Sequence, residues 1–204
     1  MTGIETSVVQ IRTSFGKNVW HGTGIFISKD AILTAGHVVQ PLGYPPPQAK
    51  NISIIFRWTF PPTQFQVRSV VVHPGWGEGR YNEDMALIRV SPVEGMGVPV
   101  LYDHFQGGAR TVSLYGYPAT GTQDYRQEDE ELKDTAGMLF SLRFNVPPGV
   151  SGGPFYIQEG SGLYSIVGIA THDDYDDTRE AFNGLPILDT NLGKLRRIKW
   201  KTNR

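Results

Sequence analysis

The sequence predicts an all-β fold, and three observations support this. Apolar segments are short, rich in Val, Ile, Leu and Phe, and separated by Gly, Pro, Asn and Asp, as expected for strands joined by turns. The 24 glycines and 14 prolines exceed average usage, which favours many tight turns. A chain of 204 residues can bury the core of such a fold as one folded unit.

The predicted strands follow the apolar segments in order. In the first half they are Thr6–Arg12, Gly24–Ser28, Ala31–Thr34, Ile52–Phe56, Phe65–Val72 and Met85–Val90. In the second half they are Thr111–Tyr115, Met138–Phe144, Pro154–Ile157, Ser165–Thr171 and Leu185–Leu188. Residues 41–47 and 61–62 are predicted as loops, because closely spaced prolines cannot donate ladder hydrogen bonds. The Pro- and Gly-containing segment 91–105 is the natural crossing between the two halves.

Two charged segments of the second half have structural interpretations. The acidic run 127–131 is interpreted as a solvated loop within a long connection. Thr190 caps a predicted closing helix at about 191–200, in which Leu192, Leu195 and Ile198 have helical spacing. Its Lys and Arg residues favour the negative end of the helix dipole, an interpretation preferred to docking on nucleic acid or a membrane.

Composition limits the partners and the compartment. A net charge of −1 gives no general attraction to nucleic acid or anionic membranes, and no apolar stretch reaches the ~18–20 residues of a membrane span. The chain has no cysteine, and its N-terminus lacks a basic segment followed by an apolar core. These features favour a cytoplasmic location without establishing it. A mature secreted fragment, or a domain of a longer protein, would have the same composition.

Three motifs carry residues suited to nucleophilic catalysis. His37 lies in Leu33-Thr34-Ala35-Gly36-His37-Val38, Asp84 in Asn82-Glu83-Asp84-Met85-Ala86-Leu87-Ile88, and Ser151 in Pro148-Gly149-Val150-Ser151-Gly152-Gly153-Pro154. A serine hydroxyl is a weak nucleophile that needs a nearby base and an acceptor to orient that base. The order His, Asp, Ser is one of three in which this constellation occurs.

These motifs resemble those of the trypsin/chymotrypsin-like serine peptidases, and the resemblance extends from about Ile4 to Leu195. The absence of cysteine is similar to the bacterial, glutamyl-endopeptidase-like branch. The resemblance implies two six-stranded antiparallel β-barrels of the chymotrypsin-like type. Residues 1–95 would form the barrel with His37 and Asp84. Residues 96–204 would form the barrel with Ser151 and the short C-terminal helix, and both together would be one peptidase domain.

The resemblance also implies the role of each residue. In a serine endopeptidase acting on polypeptides, Ser151 would attack the carbonyl, His37 would accept the proton and Asp84 would orient His37. Glu83 competes with Asp84, but neighbouring strand side chains point to opposite faces, so only one can meet His37. The backbone N–H groups of Gly149 and Ser151 would form the oxyanion hole. No metal and no cofactor is implied.

Val150 departs from the trypsin pattern, in which an Asp before the serine pairs with a newly cut N-terminus. Valine cannot form that ion pair, so we predict no activation by this route. The Pro148-Gly149 peptide could instead require substrate or a partner to orient it. The sequence therefore leaves open a regulatory domain or an activating partner.

The resemblance assigns the primary pocket to two segments. They supply Asn145 and Val146, and then Ala170, Thr171, His172 and Asp173. The backbones of Thr171 and Asp173 are candidates for pairing with substrate residues before the cut. Ala170 replaces the histidine with which glutamyl endopeptidases read acidic residues, unless the register shifts by two to His172.

The acidic segment 172–177 has three interpretations: an exposed polar loop, a site that attracts basic side chains, and a calcium site. A carboxylate at the pocket rim can pair with Arg or Lys. We therefore expect a weak preference for basic residues before the cut.

Two other functions compete with peptidase activity. A catalytically weak or inactive peptide-binding or scaffold domain would have the same fold, although no triad member is missing here. An α/β-hydrolase esterase would also carry Gly-x-Ser-x-Gly, but its serine precedes the acid and the histidine in the chain. The chain order therefore disfavours the esterase.

Overall fold

A computed structural model describes residues 3–59, 61–76, 83–92, 100–102, 111–120, 124–129, 133–135, 138–141, 146–159, 163–175 and 181–186. The predicted all-β class is confirmed. The strands of the first half are β1 Val8–Phe15, β2 Asn18–Ser28, β3 Ala31–Thr34, β4 Ile52–Phe56, β5 Thr63–Phe65, β6 Val67–Val72 and β7 Ala86–Val90. Those of the second half are β8 Val100–Tyr102, β9 Val112–Gly116, β10 Tyr125–Asp129, β11 Lys133–Thr135, β12 Met138–Ser141, β13 Pro154–Gln158, β14 Tyr164–Tyr175 and β15 Ala181–Pro186.

The short helices of the described residues lie in the first half. Helix α1 spans Gly36–Val39, and two 3₁₀ helices span Ile4–Ser7 and Ala49–Asn51. The first of these 3₁₀ helices takes the start of the strand predicted from Thr6, so that β1 begins at Val8. Among the described residues, no helix is both long and apolar enough to cross a membrane.

The first sheet has the strand order β5-β4-β1-β2-β3-β7-β6 and is antiparallel throughout. Its edge strands β5 and β6 are consecutive in the chain and separated only by Gln66, so the sheet curls back on itself. One strand was predicted over Phe65–Val72, but the break at Gln66 divides it between the two edges. This division gives the sheet seven strands instead of six.

The second sheet curls in the same way. Its order is β10-β9-β13-β14-β15-β12-β11, and its two edge strands are again consecutive in the chain. The eighth strand, β8, pairs in parallel with β14, whereas the other pairs are antiparallel. The two sheets match the predicted pair of barrels in architecture and exceed it in strand number.

The acidic run corrects one prediction. Residues 127–129 were interpreted as loop, but they lie in β10, where Glu128 pairs with Ser113 and Asp129 with Val112. Charged side chains suit this position because β10 is an edge strand, and charges there oppose pairing with another chain. The predicted helix at 191–200 lies outside the described residues.

Among the residues that the structure describes, three apolar clusters form the core, one in each sheet and one shared between them. The cluster of the first sheet includes Ile11, Ile32 and Ile88, and that of the second includes Leu114 and Phe155. The shared cluster joins residues of both halves: Ile4, Val8, Ile25, Ala31, Leu33, Met85, Leu87, Tyr115, Tyr117, Tyr156, Tyr164, Ile166 and Ile169. Burial of this shared cluster fixes the two sheets against each other, and the candidate site lies where they meet.

Candidate active site

His37 is placed by the short helix that follows β3. Ala35 is extended at its N-cap, and the helix begins at Gly36. A Cβ on Gly36 would lie 2.9 Å from Oδ1 of Asp84 and 3.0 Å from the ring of Trp76. A glycine here therefore lets a carboxylate and an aromatic ring approach the start of the helix closely.

Asp84 bonds twice to His37. The carboxylate accepts the backbone N–H of His37 at Oδ1 and faces Nδ1 of the ring at Oδ2, each at 2.7 Å. Asp84 is fully buried, whereas the side chain of His37 is 17% exposed. With its proton on Nδ1 facing the carboxylate, the neutral ring presents Nε2 as a proton acceptor.

The neighbouring carboxylate faces another histidine. Oε2 of Glu83 lies 2.8 Å from Nδ1 of His73, which is buried. The two consecutive acids thus point in different directions, as predicted. The predicted reason, alternation along a strand, does not apply, because both residues precede β7, which begins at Ala86. The geometry assigns Asp84 to His37 and Glu83 to His73.

Trp76 belongs to this site, although the sequence analysis did not select it. It is buried, its Nε1 donates to the carbonyl of Gln40 at 2.7 Å, and its ring centroid lies 6.2 Å from that of His37. The ring therefore packs beside the His37–Asp84 pair and ties the end of α1 to the loop after β6. The signal in the sequence was an aromatic residue three positions after His73, which alone indicates only a core residue.

Ser151 lies in a turn held between β2 and β14. The Ser151 carbonyl accepts the N–H of Thr23 at 2.8 Å, and the N–H of Gly152 donates to the Ala170 carbonyl at 2.7 Å. The Oγ of Ser151 donates to the carbonyl of Thr171 at 3.1 Å. These bonds join the serine turn to both halves of the molecule.

Gly152 brings this turn against the segment that precedes His37. Its φ is +85°, and a Cβ would lie 2.2 Å from the Thr23 carbonyl oxygen and 3.0 Å from the backbone N of Ala35. Ala35 caps α1, the helix that carries His37. The serine turn and the His37 helix are therefore in direct contact.

Gly149 is fixed by residues of both halves. Its φ is +95°, and its carbonyl accepts the Oγ1–H of Thr23 at 2.8 Å. The same Oγ1 accepts the N–H of Tyr117 at 2.9 Å, and Thr23 is fully buried. Thr23 was not selected from the sequence, because a lone threonine in a strand gives no functional signal.

The predicted pocket residues are only partly described. Val146, Ala170 and Thr171 are buried, and Asn145 lies outside the described residues. His172 and Asp173 belong to the backbone of β14. The interpretation of 172–177 as an exposed loop is wrong for 172–175, since β14 continues there after a register shift between Ala170 and Asp174. Such irregularities bend a strand locally.

A metal site finds no support among the residues that the structure describes. They contain no group of three or more His, Cys, Asp or Glu side chains placed to hold an ion.

Comparison with solved structures identifies the fold. AL20, a thermostable serine protease from an extremophilic microorganism, aligns with a TM-score of 0.73 at 14% identity, covering 94% of this chain and 95% of its own. A Glu endopeptidase in complex with MPD aligns at 0.72 and 16%, covering 94% and 89%. The inactivated protease paralogue S-I1 of the scabies mite aligns at 0.66 and 18%, covering 90% and 91%. A search of curated proteins found no significant match.

The family follows from the sequence itself. Residues 22–169 match the model of the trypsin-like peptidase domain, a span that contains His37, Asp84 and Ser151. It also includes the whole of α1 and parts of β2 and β14, the strands that hold the serine turn. With a cysteine-free sequence and two curled antiparallel sheets, the chain belongs to the trypsin-like serine peptidase family.

Proposed function

We propose that this protein is a serine endopeptidase that hydrolyses polypeptides through an acyl-enzyme. The observation that carries the proposal is the fully buried Asp84 bonded at 2.7 Å to both the backbone and the ring of His37. In a catalytic triad the buried carboxylate holds the histidine in the tautomer that leaves Nε2 to accept the proton of the serine. The contact between the Ser151 turn and the start of α1 supports the same conclusion.

The proposed reaction begins when Oγ of Ser151 attacks the substrate carbonyl and passes its proton to Nε2 of His37. Asp84 stabilises the imidazolium that forms. The N–H groups of Gly149 and Ser151 would donate to the oxyanion, a contribution of roughly 10²–10³ in turnover for one donor in other serine peptidases. His37 then protonates the leaving amine, and water, deprotonated by His37, hydrolyses the acyl-enzyme.

The hydrogen bond from Ser151 to Thr171 suggests how substrate starts this sequence. The hydroxyl donates to the Thr171 carbonyl at 3.1 Å, and that carbonyl is the expected acceptor for a substrate backbone N–H. A peptide that takes this acceptor would displace the hydroxyl toward His37. Substrate binding and activation of the nucleophile would then be the same event.

For the primary pocket we propose a weak preference for basic residues before the cut. Its support is the acidic segment that begins at Asp173 and the presence of buried Ala170 where glutamyl endopeptidases place a histidine. The similarity to a Glu endopeptidase at 16% identity concerns the fold. Replacing Asp173 and Asp174 by Asn should lower kcat/KM selectively for basic peptides, and an equal loss on all peptides would contradict the preference.

The decisive experiment compares the wild type with Ser151→Ala on an unbiased peptide mixture read by mass spectrometry. Cuts made only by the wild type support the peptidase and reveal the residue preferred before the cut. Labelling of Ser151 by a fluorophosphonate, and its loss in His37→Ala, would separately test whether the serine is activated.

The alternative is a catalytically weak or inactive peptide-binding domain. One structural neighbour, the scabies mite paralogue, is an inactivated protease. Equal, negligible cutting by the wild type and Ser151→Ala, together with no fluorophosphonate labelling, would favour this alternative. A wild type that is labelled but does not cut would instead indicate that an activating partner is required.

A further inference from the structure

A polar cavity of about 410 Å³ opens on the outer face of the first sheet. Its floor is the row Gln10, Ile55 and Gln64, which pair across β1, β4 and β5. Arg12 lies two residues beyond Gln10 on the same face of β1, and Arg57 follows the end of β4. Arg12 and Arg57 are the charged residues among those described in the lining, so the cavity is basic.

This cavity adjoins the Pro148-Gly149 peptide. Ala119 forms part of its wall, and the N–H of Ala119 donates to the Pro148 carbonyl at 2.7 Å. A Cβ on Gly149 would lie 2.2 Å from the same nitrogen. The wall of the cavity is therefore in contact with one of the two residues of the proposed oxyanion hole.

The position also indicates which part of a substrate would reach the cavity. Residues before the cut are expected along β14, which contacts the serine turn through Gly152 and Ala170. Ala119 contacts that turn instead at Gly149, before the serine in the chain. A peptide that passes from β14 across Ser151 thus continues toward Ala119 with the residues that follow the cleaved bond.

Arg57 is held in place from the other half of the molecule. Its guanidinium carbon lies 5.4 Å from the ring centroid of Tyr117, which is fully buried and accepts the Nε1–H of Trp58 at 3.1 Å. Burial raises the pKa of Tyr117 to about 12, so the ring is a neutral phenol near pH 7 and presents its face to the guanidinium. An arginine already placed loses less side-chain entropy when it binds an anion.

We propose that this cavity is a subsite for an acidic side chain downstream of the cleaved bond, with Arg57 and Arg12 as specificity-determining residues. The inference rests on the proposed peptidase function. Guanidinium groups bind carboxylates through paired N–H donors, and Gln10 and Gln64 supply further amide groups at the floor. The ligand is a glutamate or aspartate of the substrate chain.

The test uses one peptide that the wild type cuts, with each of the first few positions after the cut made Glu or Gln. At one of these positions we expect the Glu peptide to have a kcat/KM about fivefold higher, the upper range for a partly exposed ion pair. The ratio of kcat/KM for the Glu peptide to kcat/KM for the Gln peptide should fall close to one in Arg57→Gln. Arg57→Lys should restore part of this ratio. Arg68→Gln, an exposed arginine of β6 outside this cavity, should leave the ratio unchanged.

The outcomes separate the two proposals. A wild type that cuts well but shows a ratio within twofold at every position overturns the subsite and leaves the peptidase standing. If Arg57→Gln lowers the activity equally on the Glu and Gln peptides, the subsite proposal is also overturned. An equal loss would mean that Arg57 only supports the structure around Tyr117 and Ala119 and does not bind the acidic side chain. Cutting no faster than by Ser151→Ala, together with no fluorophosphonate labelling of Ser151, overturns the peptidase, and the subsite with it.

Discussion

The carboxylate of Asp84 holds His37 by its backbone and by its ring at the same time. One oxygen accepts the main-chain N–H at the start of α1, and the other faces Nδ1, both at 2.7 Å. A fully buried carboxylate is costly unless its oxygens are hydrogen-bonded, and this arrangement satisfies both of them. Position and tautomer of the imidazole are thus set by a single residue.

The first prediction concerns Asp84→Asn. The amide oxygen can still accept the backbone N–H of His37, but its NH₂ group then faces Nδ1 and requires that nitrogen to be unprotonated. The ring proton moves to Nε2, which can no longer accept the proton of Ser151. We expect kcat to fall about 10⁴-fold, as for the same change in other serine peptidases, with the fold retained.

Glu83→Gln is the matched control. It removes a charge from the adjacent residue, which faces His73, so activity should change by less than about threefold. Steady-state kinetics and circular dichroism of both variants give the comparison. If Glu83→Gln lost as much activity as Asp84→Asn, the assignment of the two acids would be wrong.

The second prediction concerns Thr23, whose hydroxyl bridges two segments of the second half. Its Oγ1 donates to the Gly149 carbonyl and accepts the Tyr117 N–H, both in the buried interior. Thr23→Val keeps the shape but leaves these two backbone groups without that partner. We expect the free energy of unfolding to drop by about 2–4 kcal/mol, with a parallel loss of turnover because the Gly149 peptide is no longer fixed.

Thr13→Val provides the contrast. Thr13 is also fully buried in a strand of the first sheet, but in the described part of the chain its Oγ1 has no hydrogen-bond partner. The same substitution should therefore be neutral or slightly stabilising. Urea denaturation of both variants tests the pair, and similar losses in the two would show that the bridge of Thr23 contributes little.

The sequence predicted the parts of the site that lie within short motifs. The His37, Asp84 and Ser151 segments each combine a reactive residue with glycines or an apolar strand, and such local patterns can be read directly. Thr23 could not be found in this way, since it bonds to Gly149 126 residues later in the chain. Likewise, nothing near Arg57 in the sequence indicates that it lies over the ring of Tyr117.

The fold shows the same division between local and long-range information. Apolar segments placed most strands, but the sequence missed how far β1 and β2 extend beyond the core. These strands continue to a hairpin at Gly16-Lys17, where Phe15 pairs with Asn18 and Gly16 has a φ of +60°. The added residues include the fully buried Thr13 and Thr23 as well as the exposed Val19 and Trp20. Because they do not form an apolar segment, their strand structure is evident only from the pairing of β1 with β2.

The third prediction concerns Gly149→Ala. At φ of +95° a side chain is strained, and its Cβ would lie 2.2 Å from the backbone N of Ala119. Gly43 also has a positive φ, of +81°, but a Cβ there meets nothing within 4 Å. Gly43→Ala should cost about 1–2 kcal/mol from strain alone, and Gly149→Ala about 1–3 kcal/mol more.

Chemical denaturation measures the difference in unfolding free energy between Gly43→Ala and Gly149→Ala. Steady-state kinetics measures the difference in their turnover. Only Gly149→Ala should lower turnover, because it displaces the peptide that we assign to the oxyanion hole. Equal losses of stability in Gly43→Ala and Gly149→Ala would mean that the backbone around Ala119 shifts at little energetic cost to accommodate the new Cβ. Unchanged turnover in a folded Gly149→Ala variant would contradict the role proposed for Gly149.

The fourth prediction concerns activation. Val150 is fully buried and packs in the apolar cluster of the second sheet, at the position where trypsin-like zymogens keep an Asp for the new N-terminus. We expect residues added before Met1 to change kcat/KM by less than about twofold. A strict requirement for a trimmed N-terminus would contradict this prediction. Val150→Asp should lower stability by about 3 kcal/mol or more, since it buries a charge in apolar surroundings.

The last prediction concerns His21, the strand partner of Arg12. Burial, and then the positive charge of Arg12, lower the pKa of His21 below its ordinary value. The unfolded chain therefore binds the proton more readily. The neutral form of His21 therefore contributes to the free energy of unfolding. This contribution is fully present above the pKa of His21 in the unfolded chain, about 6.5, and is lost as the pH falls through the lower pKa of His21 in the folded chain.

Arg12→Gln separates the two causes of this shift. It removes the repulsion but not the burial, so the pKa of His21 should rise yet remain below the unfolded value, because burial is the larger cause. Titration of the imidazole ring protons by NMR gives the pKa in each variant, with Arg68→Gln as the control for a lost arginine elsewhere on the same sheet. A pKa that does not move in Arg12→Gln would show that the guanidinium is too well solvated to affect the ring.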